Sequence, residues 1–163
     1  MSGDNISTAD WLPRIDILLD FSVEDVWPLV IHWEKWIRTY HCENVSGRPD
    51  EVGEIKKISK LDPAGKSARH FFVEVVRLEP EERLVYRILP PEEGALEAAR
   101  GYEIFNLFDL GGRTLVSYET VAQLVTSKVD QAALDARVHR DHAAAQNDWA
   151  YKYIPELHRL LRN

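Results

Sequence analysis

The stretch that most constrains this chain is its last one, from Ser127 to Arg162. Leu134, Val138, Ala145, Trp149, Tyr153, Leu157 and Leu160 recur there at steps of three and four. Side chains so spaced share one stripe of an α-helix, so the stretch predicts one long amphipathic helix. Ser127 with Asp130 three residues on is the expected start, since a hydroxyl can satisfy an orphan backbone N–H. Lys152, His158, Arg159 and Arg162 place cations toward the negative end of the helix dipole. Pro155 lies inside the pattern and predicts a kink, because its ring clashes with the carbonyl of Tyr151. A stripe carrying Trp149 and Tyr153 needs a cover.

The rest of the chain reads as the sheet that supplies that cover. Trp11 to Phe21 alternates, with Ile15, Ile17, Leu19 and Phe21 on one face, as in a half-buried strand. Ser22, with Asp25 three residues later, caps a short helix carrying Val26, Trp27, Val30 and Ile31, and Pro28 sits inside it. A second short helical piece is expected over Trp33 to Tyr40. Six strands follow: Cys42 to Ser46, Gly53 to Leu61, Ala68 to Leu78, Arg83 to Leu89, Tyr102 to Leu110 and Arg113 to Ala122. The turns between them carry Asp62-Pro63-Ala64-Gly65, Glu79-Pro80-Glu81-Glu82 and Gly111-Gly112, and the last is a two-residue hairpin signal. A helical turn is expected over Ala95 to Ala99. Consecutive hairpins imply an antiparallel sheet, so the class is α+β. Residues 1–10 are polar and are expected to form a disordered lead-in, with 11–163 as one domain.

Composition narrows the function classes. A net charge of −7, from 27 acidic and 20 basic side chains, disfavours a nucleic-acid partner. Cys42 is the only cysteine, so no internal disulfide forms and a cytoplasmic location is expected. No apolar run is long enough for a membrane-spanning helix.

In order and in local residues, the chain resembles the START-like, Bet v 1-like (SRPBCC) superfamily, nearest to its polyketide cyclase/dehydratase and aromatase group. The residues that carry the likeness are Phe21 to Val26 before Trp27, Trp33 with Tyr40, Val52-Gly53, and Glu79-Pro80 followed by Arg83-Leu84-Val85-Tyr86-Arg87. The resemblance implies a helix grip. In that fold a curved antiparallel sheet of about seven strands wraps around a long C-terminal helix, with two short helices after the first strand. It also implies an internal cavity for a small hydrophobic ligand. The aromatic positions of the group carry over to Trp33 and Tyr40, while Val76 and Leu89 stand where its pocket arginines would be.

Three readings of function follow. The first is binding of a small, largely apolar, aromatic or polyketide-like ligand, the second a cyclase or dehydratase of a poly-β-keto chain, and the third a chaperone-interacting module. The expected ligand-binding residues are Trp33, Trp36, Tyr40, Phe72, Phe105, Leu107, Val116, Tyr118, Trp149 and Tyr153. With Gly111-Gly112 as the turn, Phe105 pairs with Tyr118 and Leu107 with Val116, and these four face the helix. Glu103 and Thr120 share that face. A carboxylate there would be raised in pKa by desolvation and could move protons. His142 on the helical stripe is a second candidate proton carrier, and Tyr40 a polarising hydroxyl. Asp135, His139 and His142 stand at i, i+4 and i+7, but no fourth ligand accompanies them. No metal and no cofactor are expected, and a homodimer is left open.

Overall fold

The computed structural model describes residues 6–92 and 97–163. Among them the order is β1 (Ser7–Trp11), β2 (Arg14–Leu19), α1 (Val23–Ile31), a 3₁₀ turn (Trp33–Lys35), β3 (Tyr40–Ser46), β4 (Ile55–Leu61), β5 (Ser67–Glu79), β6 (Arg83–Ile88), β7 (Glu97–Asp109) and β8 (Thr114–Thr126). The C-terminal stretch holds α2 (Gln131–Asp148), a π-helical turn (Trp149–Tyr153) and α3 (Ile154–Leu161). All pairings are antiparallel, in the order β1-β8-β7-β6-β5-β4-β3, with β2 also on β8. No helix among the described residues is long and apolar enough to cross a membrane.

The expected first strand is two strands. Leu12-Pro13 interrupts it, since a proline has no N–H to give the ladder. The Pro13 carbonyl still accepts from the Thr120 N–H at 3.0 Å. The first of the two begins at Ser7, which corrects the expected disordered lead-in for Ser7 to Asp10. Gln131 ties it down, accepting from the Thr8 N–H at 3.2 Å and donating to the Thr8 carbonyl at 2.7 Å. Residues 1–5 lie outside the described residues.

Ser22 caps α1 as expected, its hydroxyl accepting from the Asp25 N–H. The second short helix reduces to the 3₁₀ turn. That single turn is enough to bury Trp33, Trp36 and Ile37, and the backbone from Tyr40 is then taken by hydrogen bonds to β4. Glu97, Ala98 and Ala99, expected in a helical turn, open β7 and pair with β8. Ala95 lies outside the described residues. Pairing across the whole of β8 holds this segment extended, which outweighs the helix propensity of alanine.

Asp130, not Ser127, caps the long helix, accepting from the Ala133 N–H at 2.8 Å. The irregularity expected at Pro155 comes one turn earlier, as the π turn. Ala145, Trp149, Tyr153 and Leu157 are spaced by four three times over. In an α-helix each such step drifts about 40° around the axis. A locally underwound turn cancels that drift, and it also accommodates the missing N–H of Pro155. Trp149, Tyr153 and Leu157 are buried together as a result.

Candidate functional site

The inner face of the sheet, which meets the helices, is set by alternation along each strand. Its rows run Val75, Tyr86, Glu103, Thr120 and Ile58, Phe71 in pairing register. Phe105 pairs with Tyr118, Leu107 with Val116 and Glu103 with Thr120, as the hairpin argument requires. Gly111 and Gly112 both have positive φ, which is the reason the tight turn needs glycines.

An aromatic cluster fills the middle of this face. Trp149 is 7% exposed. It meets Tyr118 with ring centroids 5.3 Å apart, Trp36 edge-on at 6.3 Å and Tyr153 edge-on at 5.4 Å. Phe105 lies 4.7 Å from Tyr118. Trp33 meets Tyr40 edge-on at 6.4 Å and donates its indole N–H to the Tyr86 hydroxyl at 3.2 Å. Tyr153 and Thr39 join their hydroxyls at 2.5 Å, fixing the π turn to the segment before β3. Phe72 does not belong to the cluster. It alternates with Val73, which is fully buried in the core, so Phe72 faces outward, edge-on to His70 at 5.7 Å. Phe71 takes the inward position instead.

Next to the rings stands a carboxyl group. Glu103 shares the inner face, and burial raises its pKa to about 7, opposed by a hydrogen bond from Tyr118. Thr120 Oγ1 lies 3.2 Å from the Tyr118 hydroxyl, so Thr120, Tyr118 and Glu103 form one polar chain on the inner face. Burial and the neighbouring Glu103 push the Tyr118 hydroxyl well up. Burial also pushes Tyr40 up to about 12, helped by Tyr153 and Glu103 and opposed by Arg69. Glu103, Tyr118 and Tyr40 are only half-buried. They stand between sheet and helix and keep part of their surface accessible there. A carboxyl near neutrality beside neutral phenols can accept or donate a proton at ordinary pH.

His142 is not joined to this group. It lies edge-on to Trp11, centroids 5.9 Å apart, at the β1 end of the face. With Val138 and His139 it lines an open groove of about 370 Å³ between β1 and α2. His142, named from the sequence as an alternative proton carrier to Glu103, thus stands where the start of the long helix meets the edge strand, apart from Tyr40 and Glu103. Among the described residues, no three His, Cys, Asp or Glu side chains come together to hold a metal. A larger open hollow, about 490 Å³, lies between the Glu79–Arg83 turn, the Asn106–Asp109 end of β7 and the start of α1. Glu74 and Arg87 form an ion pair across β5 and β6, half-exposed on the outer face.

Two features escaped the sequence. Tyr86 is 1% exposed at the centre of the inner face, although the Leu84-Tyr86-Ile88 alternation was a usable signal. Glu54 and Lys56 are buried at 3% and 5%, and the lysine amine lies 3.8 Å from the carboxylate and 5.9 Å from the centre of the Tyr86 ring. Two charges in alternation normally read as a solvated face. Here Asn44 and the Asp50 N–H satisfy the carboxylate, which makes burial tolerable. Burial lifts the Cys42 thiol to about 11, leaving it neutral and a poor nucleophile.

Element order, pairing and the grip of the sheet on its last helix decide the architecture. The chain has the helix-grip fold. Its structure is similar to that of Ara h 8.0201, with a TM-score of 0.61 at 13% identity over 98% of this chain and 100% of that one. It is similar to the Zhui aromatase/cyclase from Streptomyces sp. R1128, with a TM-score of 0.59 at 13% identity over 96% and 92%. Protein CV1439 from Chromobacterium violaceum gives 0.59 at 16% identity over 94% and 98%. At such identities the likeness shows the helix grip itself. No family model matches the chain, and no curated protein sequence matches it.

Proposed function

We propose that the helix grip binds a small, largely apolar, aromatic or polyketide-like molecule between the inner face of the sheet and the C-terminal helix. The observation that carries this reading is the aromatic wall of Trp33, Trp36, Tyr40, Phe105, Tyr118, Trp149 and Tyr153 beside an accessible Glu103. Ring faces stack on flat ligands, and a few convergent polar groups orient them. Leu107 and Val116 extend the wall toward α1. A thermal-shift screen of flat apolar compounds tests it, because a ligand that binds only the native state raises its stability by mass action. Shifts that disappear in Tyr118→Leu are expected. A broad library that produces none removes the reading.

The state of Glu103 favours a second reading, acid–base catalysis on a poly-β-keto chain. The Glu103 carboxylate would take a proton from carbon alpha to a carbonyl. As the acid, it would then return that proton to the departing hydroxyl during water loss. Tyr118 or Tyr40 would donate a hydrogen bond to the carbonyl. Holding the flexible chain folded lowers the entropic cost of ring closure. Cyclisation or dehydration of a model diketide, abolished by Glu103→Gln with binding retained, distinguishes this from binding alone.

A further inference from the structure

We propose that Lys60 and Arg69 form a subsite for a carboxylate carried by the apolar ligand, at the mouth of the inner face. This rests on the reading that the inner face binds such a ligand.

Tyr40, Lys60 and Arg69 are direct neighbours across β3, β4 and β5. They lie one row beyond Cys42, Ile58 and Phe71, and Ile58 is fully in the core. Alternation therefore sets Lys60 and Arg69 on the inner side. The charge of Arg69 opposes the upward push that burial gives the Tyr40 hydroxyl, in keeping with that placement. Both cations are exposed, and among the described residues neither has an acidic partner, whereas Arg14, Lys56, Arg77 and Arg87 on the same sheet do.

Like charges directly opposite on adjacent strands repel. A pair left without a counter-charge, in a chain of net charge −7, is a local reversal of the overall field. A bound anion would relieve the repulsion. The planar fork of Arg69 matches a carboxylate, and Lys60 adds a point charge beside it. Asp148, which also acts on Tyr40, would oppose an anion, but Lys152 balances it at 2.6 Å. An apolar body extending from the subsite would pass over Tyr40 and Phe71 toward Glu103.

The test compares 2-naphthylacetic acid with its methyl ester, by quenching of tryptophan fluorescence, at a pH that keeps Glu103 protonated. The wild type should bind the acid about tenfold tighter than the ester, as expected for one charge-assisted contact. The preference should shrink with added salt. Lys60→Gln with Arg69→Gln should abolish it while leaving ester affinity unchanged and the melting temperature the same or slightly higher, because the repulsion is gone. Lys57→Gln, a neighbour on the outer side, should keep it. Equal affinities in the wild type, or an intact preference in the double variant, overturn the subsite and leave the apolar reading standing. Binding of neither compound overturns both.

Discussion

Glu103→Gln has a calculable effect on stability. In the folded chain the Glu103 carboxyl titrates at about 7, against an ordinary 4.5, chiefly because burial disfavours its charged form. Its folded-state pKa is raised, so between those two values the native state holds more proton than the unfolded chain. Stability therefore falls as pH rises through this window and is flat on either side. A displacement from 4.5 to about 7 corresponds to about 3 kcal/mol, and solvent screening of the half-buried carboxyl reduces this toward about 2 kcal/mol. Glutamine keeps the shape and the hydrogen bond from Tyr118 but has no proton to lose. Urea unfolding of both proteins, followed by fluorescence from about pH 4 to pH 8, isolates the contribution, because every other group cancels in the difference. The variant should gain about 2–3 kcal/mol on the wild type between the ends of that range. A flat difference curve would mean that Glu103 is solvated, and the acid–base reading would go with it.

Trp149→Ala should cost about 3–5 kcal/mol in the same assay, since the indole is packed by Trp36, Tyr118 and Tyr153. A loss under about 1 kcal/mol would show that its ring already borders empty space on more than one side. Gly101→Ala should be more damaging than its small volume suggests. Gly101 has φ of 145°, and an added Cβ would lie 2.0 Å from the Val121 carbonyl oxygen. Loss of soluble protein, or a melting temperature lowered by several degrees, is expected, and a neutral result would mean that β7 and β8 separate easily at that point.

Much of the architecture was legible because it is written in local periodicity. The Ser22 cap, the Gly111-Gly112 hairpin and the pairing of Phe105 with Tyr118 depend on residues close in sequence, and alternation along β7 and β8 puts Glu103 on the inner face without any knowledge of the rest. Even the π turn left a trace, in three consecutive spacings of four around Trp149. Other features depended on partners far away in the chain. Phe72 and Phe71 are equally apolar neighbours, and only the register of β5 against β4 and β6 decides which one turns inward. Lys56 reads as a solvated cation until Glu54, Asn44 and Tyr86 are assembled around it. His142 lies on the predicted stripe, yet Trp11, 131 positions earlier in the chain, sets its surroundings. Most of the elements, their order and much of their apolar faces could be read from residues close in sequence, because these follow from backbone geometry and the side-chain period. Only the tertiary structure decided which polar groups share that face and how buried they are, because desolvation and charge act through space between strands and helices that the sequence leaves far apart.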